Sequence, residues 1–162
     1  MTADGPRHGE VEERLTRVLG CWAVGSLLVG AALSLRPATR GFGRQTAAWG
    51  AVDGAIALVG ARRRAARGPT DPARLRRVLL VNAGLDVGYL AAGVALLRLP
   101  AARARGLGGD GLAVIVQGGF LLLLDSVAAR ALRPRPAAPD RRARPAPLQG
   151  SGPTSADPGG PA

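Results

Sequence analysis

Five polar side chains interrupt otherwise apolar stretches of this chain: Asp53, Asn82, Asp86, Gln117 and Asp125. A carboxyl at the centre of a lipid-embedded helix costs about 2.5–3.5 kcal/mol on insertion scales. Groups kept at that cost serve a proton, cation or polar-solute site, or hydrogen-bond one helix to another at about 0.6–2 kcal/mol per bond. Both chemistries are open to these five residues. Other chemistries are closed. The one histidine, His8, stands near the N-terminus, and all 22 basic residues are arginine. Histidine-rich metal sites, a Ser-His-Asp triad, Schiff-base catalysis and a phosphate-loop lysine are therefore excluded. A lone cysteine, Cys21, excludes a disulfide framework and a cysteine zinc cluster. Two carboxyls can act as acid and base, but no nucleophile elbow, metal motif or nucleotide loop accompanies them. Gly41-Phe42-Gly43 and Gly106-Leu107-Gly108-Gly109 lack the flanking strand that a phosphate site needs. The expectation is a protein that is not an enzyme and holds no cofactor or metal.

The elements that must position these residues are apolar runs. Residues 18–35 carry no charge, 45–61 carry only Asp53, 78–97 only Asp86, and 111–132 only Asp125 and Arg130. At about 1.5 Å per residue each run spans roughly 25–33 Å, close to the ~30 Å hydrocarbon thickness of a bilayer. A soluble bundle would place a polar stripe along each helix, and stretches such as Phe120-Leu121-Leu122-Leu123-Leu124 have none. The predicted fold class is all-α: a four-helix transmembrane bundle over 18–132. Residues 1–17 are predicted as a cytoplasmic tail and 133–162 as a disordered one. The run at 45–61 is the weakest and needs its neighbours to insert. Cys21 reads as a small packing residue, and the first run as part of the mature chain, because Glu10, Glu12 and Glu13 precede it.

Arginine sets the orientation. Sixteen arginines fall in the two tails and the connection between the second and third runs, against six in the other two connections. The positive-inside rule then puts both termini in the cytoplasm and the chain in the inner (plasma) membrane, with membrane lipid as its partner. Nucleic acid is not expected, since charge brackets the runs and only five residues are aromatic. The last 29 residues hold eight prolines and almost no large apolar side chain, too little to offset ordering entropy.

On that topology Asp53 and Asp86 lie eight residues, and Asp125 seven, from the cytoplasmic ends of their runs. All three carboxyls fall roughly 10–12 Å below one surface. At ~100° per residue, Asn82, Asp86, Tyr89 and Gly93 share a face of the third helix, with Gly84 and Gly88 opposite. Gln45, Trp49, Asp53 and Ile56 share a face of the second, and Gly118 and Asp125 align in the fourth. A polar interior where the carboxyls meet, with Asn82 and Gln117 nearby, follows from these registers. The alternative is that Asp125 pairs with Arg130, Arg76 or Arg77. Close backbone approach is expected at Ser26/Gly30, Gly50/Gly54, Gly84/Gly88 and Gly118-Gly119, where small residues recur.

Asn82-Ala83-Gly84-Leu85-Asp86-Val87-Gly88-Tyr89 and Gln117-Gly118-Gly119-Phe120-Leu121-Leu122-Leu123-Leu124-Asp125 resemble motifs in a family of small bacterial four-helix membrane proteins of unknown function. Gly20-Cys21-Trp22-Ala23-Val24-Gly25 and Trp49 are similar to its first and second helices, so the resemblance covers about residues 15–132. It implies fold and membrane location but no activity. Asn often stands in that family where this chain has Asp53 or Ser26, which points to Asp86 and Asp125 as the pair that matters. Two functional expectations stand together. One is a non-enzymatic membrane protein, an accessory subunit beside a membrane partner, whose buried polar residues fasten the bundle. The other is a small transporter or proton-coupled carrier using Asp86 and Asp125; four helices are few for alternating access, so a carrier would need a homo-oligomer.

Overall fold

The computed structural model describes residues 8–134, and within them the chain is helical without a strand. Its elements are α1 (His8–Ser34), a 3-10 turn (Pro37–Thr39), α2 (Arg40–Arg67), α3 (Pro72–Arg98), the short α4 (Pro100–Ala104) and α5 (Gly108–Ala131). Residues 133–162, expected to be disordered, lie outside the described residues except Arg133 and Pro134. The long helices overrun the uncharged stretches at both ends. Residues 8–17, expected as a tail, are the opening turns of α1, and Arg40, Arg44 and Arg62–Arg67 belong to α2 instead of loops. Arginine propagates a helix well, so the helices stop where backbone chemistry changes, not where charge begins.

Those stops are local. After Arg67 the chain turns at Gly68, whose φ of 76° suits a residue without Cβ, and its N–H bonds the Arg64 carbonyl at 2.8 Å. Asp71 then caps α3 by accepting from the Arg74 N–H at 2.8 Å, with Pro72 in the first turn. Pro100 follows the end of α3 and opens α4.

α1 packs along α2, α3 along α5, and α5 also meets α2, so α5 joins the two hairpins. Val11, Leu79, Ala128, Ala129 and Leu132 form one apolar cluster, which brings the start of α1 and the end of α5 to the same end of the molecule. Glu12 reinforces that end: its carboxylate accepts from both the N–H and the hydroxyl of Thr70, each at 2.8 Å. Glu13 pairs with Arg17 at 2.8 Å and with Arg64 at 3.2 Å.

The seams are lined by small residues. A Cβ on Gly50 would stand 2.9 Å from the Ala23 carbonyl oxygen, and one on Gly93 would stand 2.9 Å from that of Gly111. Gly30 and Gly43 face one another across the α1–α2 seam. The expectation for Gly84/Gly88 is corrected: neither has an atom within contact range of a Cβ, and both are exposed. Asp86 and Gly93, seven residues apart, turn the opposite face of α3 toward α5, which leaves Gly84 and Gly88 outward. Gly119 is likewise without a neighbour, while Gly118 rests near the Asp86 carbonyl.

Polarity is inverted relative to a water-soluble domain. Leu28 and Leu123 are 68% and 65% exposed, and large apolar side chains cover the outside of all four long helices. The interior contains alanine and glycine together with Ser26, Asp53, Asp86, Gln117 and Asp125. Water would penalise so much exposed apolar surface. Three helices are long and apolar enough to cross a membrane: Gly9–Ser34, Pro72–Arg98 and Gly108–Ala131. α2 does not meet that standard, because arginines at both ends leave a short middle that is poor in large apolar residues.

Candidate functional site: a carboxyl-floored cleft between two helices

Four of the five polar residues singled out by sequence are buried; Asn82 is exposed along one edge. The structure brings the three carboxyls together. Asp53 on α2, Asp86 on α3 and Asp125 on α5 lie within electrostatic reach of one another, with relative exposures of 1%, 3% and 8%. Registers on three helices produce this convergence. Trp49, Asp53 and Ile56 line the cleft from α2, and Asn82, Asp86 and Tyr89 from α3, with Asp125 contributed by α5.

Hydrogen bonding divides the group. Gln117 is the central connector: its Oε1 accepts from Trp22 Nε1 at 2.9 Å, and its Nε2 donates to Asp53 Oδ2. One amide on α5 thus ties α1 and α2 at once. Trp22 is held further by stacking on Phe120, with ring centroids 3.9 Å apart and planes within 8°. Asn82 on α3 lies close enough to Asp125 on α5 to interact with its carboxyl. Among the described residues no arginine stands within ion-pair distance of Asp125, so the pairing with Arg130, Arg76 or Arg77 is corrected. Asp86 differs from the rest, since its buried Oδ2 has no hydrogen-bond partner.

Asp86 opens onto a cleft of ≈ 730 Å³ between α2 and α3, which do not pack closely on one another. Asp53, Asp86 and Asp125 line its floor and Val52, Ile56 and Leu85 its walls. Trp49 and Tyr89 meet edge to face at one end, with centroids 5.3 Å apart, and the Trp49 Nε1 is a second buried polar atom without a partner. Arg63 and Arg74 lie along the same cleft toward Glu12 and Thr70. Gln117 stands behind the floor, and Gln45 lines a separate depression with Arg44 and Asp110. Among the described residues no group of three His, Cys, Asp or Glu is arranged to hold a metal ion, so the carboxyl cluster is not a metal cage. The cleft can accept positive charge against Asp86 and apolar bulk against its walls.

Sequence reasoning placed Tyr89 on the Asp86 face of the third helix, but it missed Trp22 as a part of this interior and the clip from Glu12 to Thr70. The signal for Trp22 was its near alignment with Ser26 on α1, the turn that faces α2. Tyr89 carried the i+3 relation to Asp86 but no sign of which helix it would meet.

No match was found among curated proteins or solved structures. The family described as Family of unknown function (DUF6992) matches over residues 18–126, a stretch that contains all three carboxyls and the whole α2–α3 cleft floor, and the chain belongs to that family.

Proposed function

We propose that this chain is an integral protein of the inner (plasma) membrane that crosses it four times, with both ends cytoplasmic. In this reading it is not an enzyme, and its buried polar residues fasten the helices. The Gln117 bridge to Trp22 and Asp53 carries the reading, because it joins three helices through one amide. Lipid tails supply no hydrophobic drive between helices, so interhelical hydrogen bonds and close packing have to provide the cohesion. Four crossings are supported by the meeting of Val11 and Leu132 at one end, and lipid contact by the apolar exterior. Removing the bridge tests it. Gln117→Leu should lower stability in detergent by about 0.6–2 kcal/mol, and Trp22→Phe by less. Unchanged thermal midpoints in both variants would refute fastening.

A second reading, a small oligomeric transporter or proton-coupled carrier using Asp86 and Asp125, is favoured by the unpartnered Asp86 Oδ2 at the cleft. Reconstituted in proteoliposomes, Asp86→Asn and Asp125→Asn should then fold normally and lose flux. Unfolding of these variants, with no flux in the wild-type protein, favours fastening instead.

A further inference from the structure

The bridge from Trp22 through Gln117 to Asp53 leaves Asp86 unaccounted for. This carboxyl is 3% exposed, its buried Oδ2 lacks a donor, and the residue lines a cleft of ≈ 730 Å³. That volume lies within the roughly 300–1,000 Å³ usual for small-molecule sites, which pair apolar walls with a few polar groups. We propose that the α2–α3 cleft binds a lipophilic monovalent organic cation, with its charge at Asp86 and its body against Ile56, Leu85 and the rings of Trp49 and Tyr89.

Three observations select this class of ligand. A buried carboxylate oxygen without a donor is offset most directly by a cation. The Trp49–Tyr89 pair places aromatic rings at the same end of the cleft, where ring quadrupoles attract positive charge. A compact divalent ion is disfavoured because no metal-holding group of side chains is present among the described residues. Arg63 and Arg74 line the other end beside Glu12, so positive charge predominates there and directs a cation toward Asp86. The apolar body follows from the walls and from entry through surrounding lipid, a route that rests on the membrane reading above.

The test uses the full chain in mild detergent and equilibrium dialysis with labelled tetraphenylphosphonium. Tetraphenylborate, an anion of the same shape, serves as the control. Saturable binding is expected, and tetraphenylborate should not compete. Asp86→Asn should weaken binding roughly 10- to 100-fold, the scale of one lost charge at intermediate dielectric. Size-exclusion and thermal melting establish that the variant folds. If it does not, Ile56→Trp takes its place: Ile56 is exposed and lines the cleft, so an indole there fills the space while every carboxyl is kept, and binding should fall with the melting midpoint kept. Wild-type affinity in either folded variant, or equal binding of tetraphenylborate, overturns the proposal. Such a result leaves the membrane reading standing, which fails separately if the chain fractionates with soluble protein.

Discussion

At the residue scale, position on the helix decides what a glycine does. Gly88 and Gly93 share α3, but only Gly93 meets a neighbouring backbone, the Gly111 carbonyl. A carbonyl held in its own helix cannot yield as a flexible side chain can. Gly93→Ala should therefore cost about 1–3 kcal/mol by overpacking, whereas Gly88→Ala should stay within about 0.5 kcal/mol, as expected of an uncrowded position. Thermal melts in detergent would read the contrast. Equal effects would mean that the α3–α5 seam lies elsewhere. The same logic separates the acidic residues: Asp53 is engaged by an amide from another helix, and Asp86 Oδ2 is not.

At the element scale α2 stands apart. Its neighbours are apolar over membrane length, but α2 combines arginines at both ends, a buried Asp53 and few large apolar residues. Insertion as an isolated segment is therefore unfavourable, while in the folded chain Gln117 satisfies Asp53, and Gly43 and Gly50 seat α2 on α1. A reporter fusion carrying α2 alone should fail to insert, and a fusion carrying α1 and α2 together should insert both. Glycosylation-site mapping would distinguish the two. Efficient insertion of α2 by itself would show that its partners are not needed.

At the scale of the whole molecule, arginine and hydrogen bonding define two ends. Glu12, Thr70, Glu13 and Arg64 gather at one end with Val11 and Leu132, and the 3-10 turn and α4 lie at the other ends of the long helices. In a Cys21→Ser background, single cysteines at Ala38 and Ala104 should react with an impermeant maleimide from outside the cell. A cysteine at Ala66 should react only after permeabilisation. Labelling of Ala66 and Ala104 from the same side would exclude the four-crossing topology.

Much of this was legible in the linear chain. Apolar runs, arginines between them and the residue spacing along each run sufficed for an all-helical chain and for the convergence of Asp53, Asp86 and Asp125, because these depend on local hydropathy and on 3.6-residue periodicity, while the short α4 went unforeseen. Helix ends were misplaced, since arginine marks the edge of apolar surface and not the end of a backbone ladder. Periodicity also placed Asp86 and Gly93 on one face but could not say whether that face or the Gly84/Gly88 face would be the buried one. Only tertiary packing decided this, by seating α5 against both α3 and α2. Which carboxyl finds a donor depends on side chains far apart in sequence, as Trp22, Asp53 and Gln117 are. Spacing within one helix carries no information about a partner on another, so the fasteners and the unpaired oxygen of Asp86 emerge only when the helices are assembled.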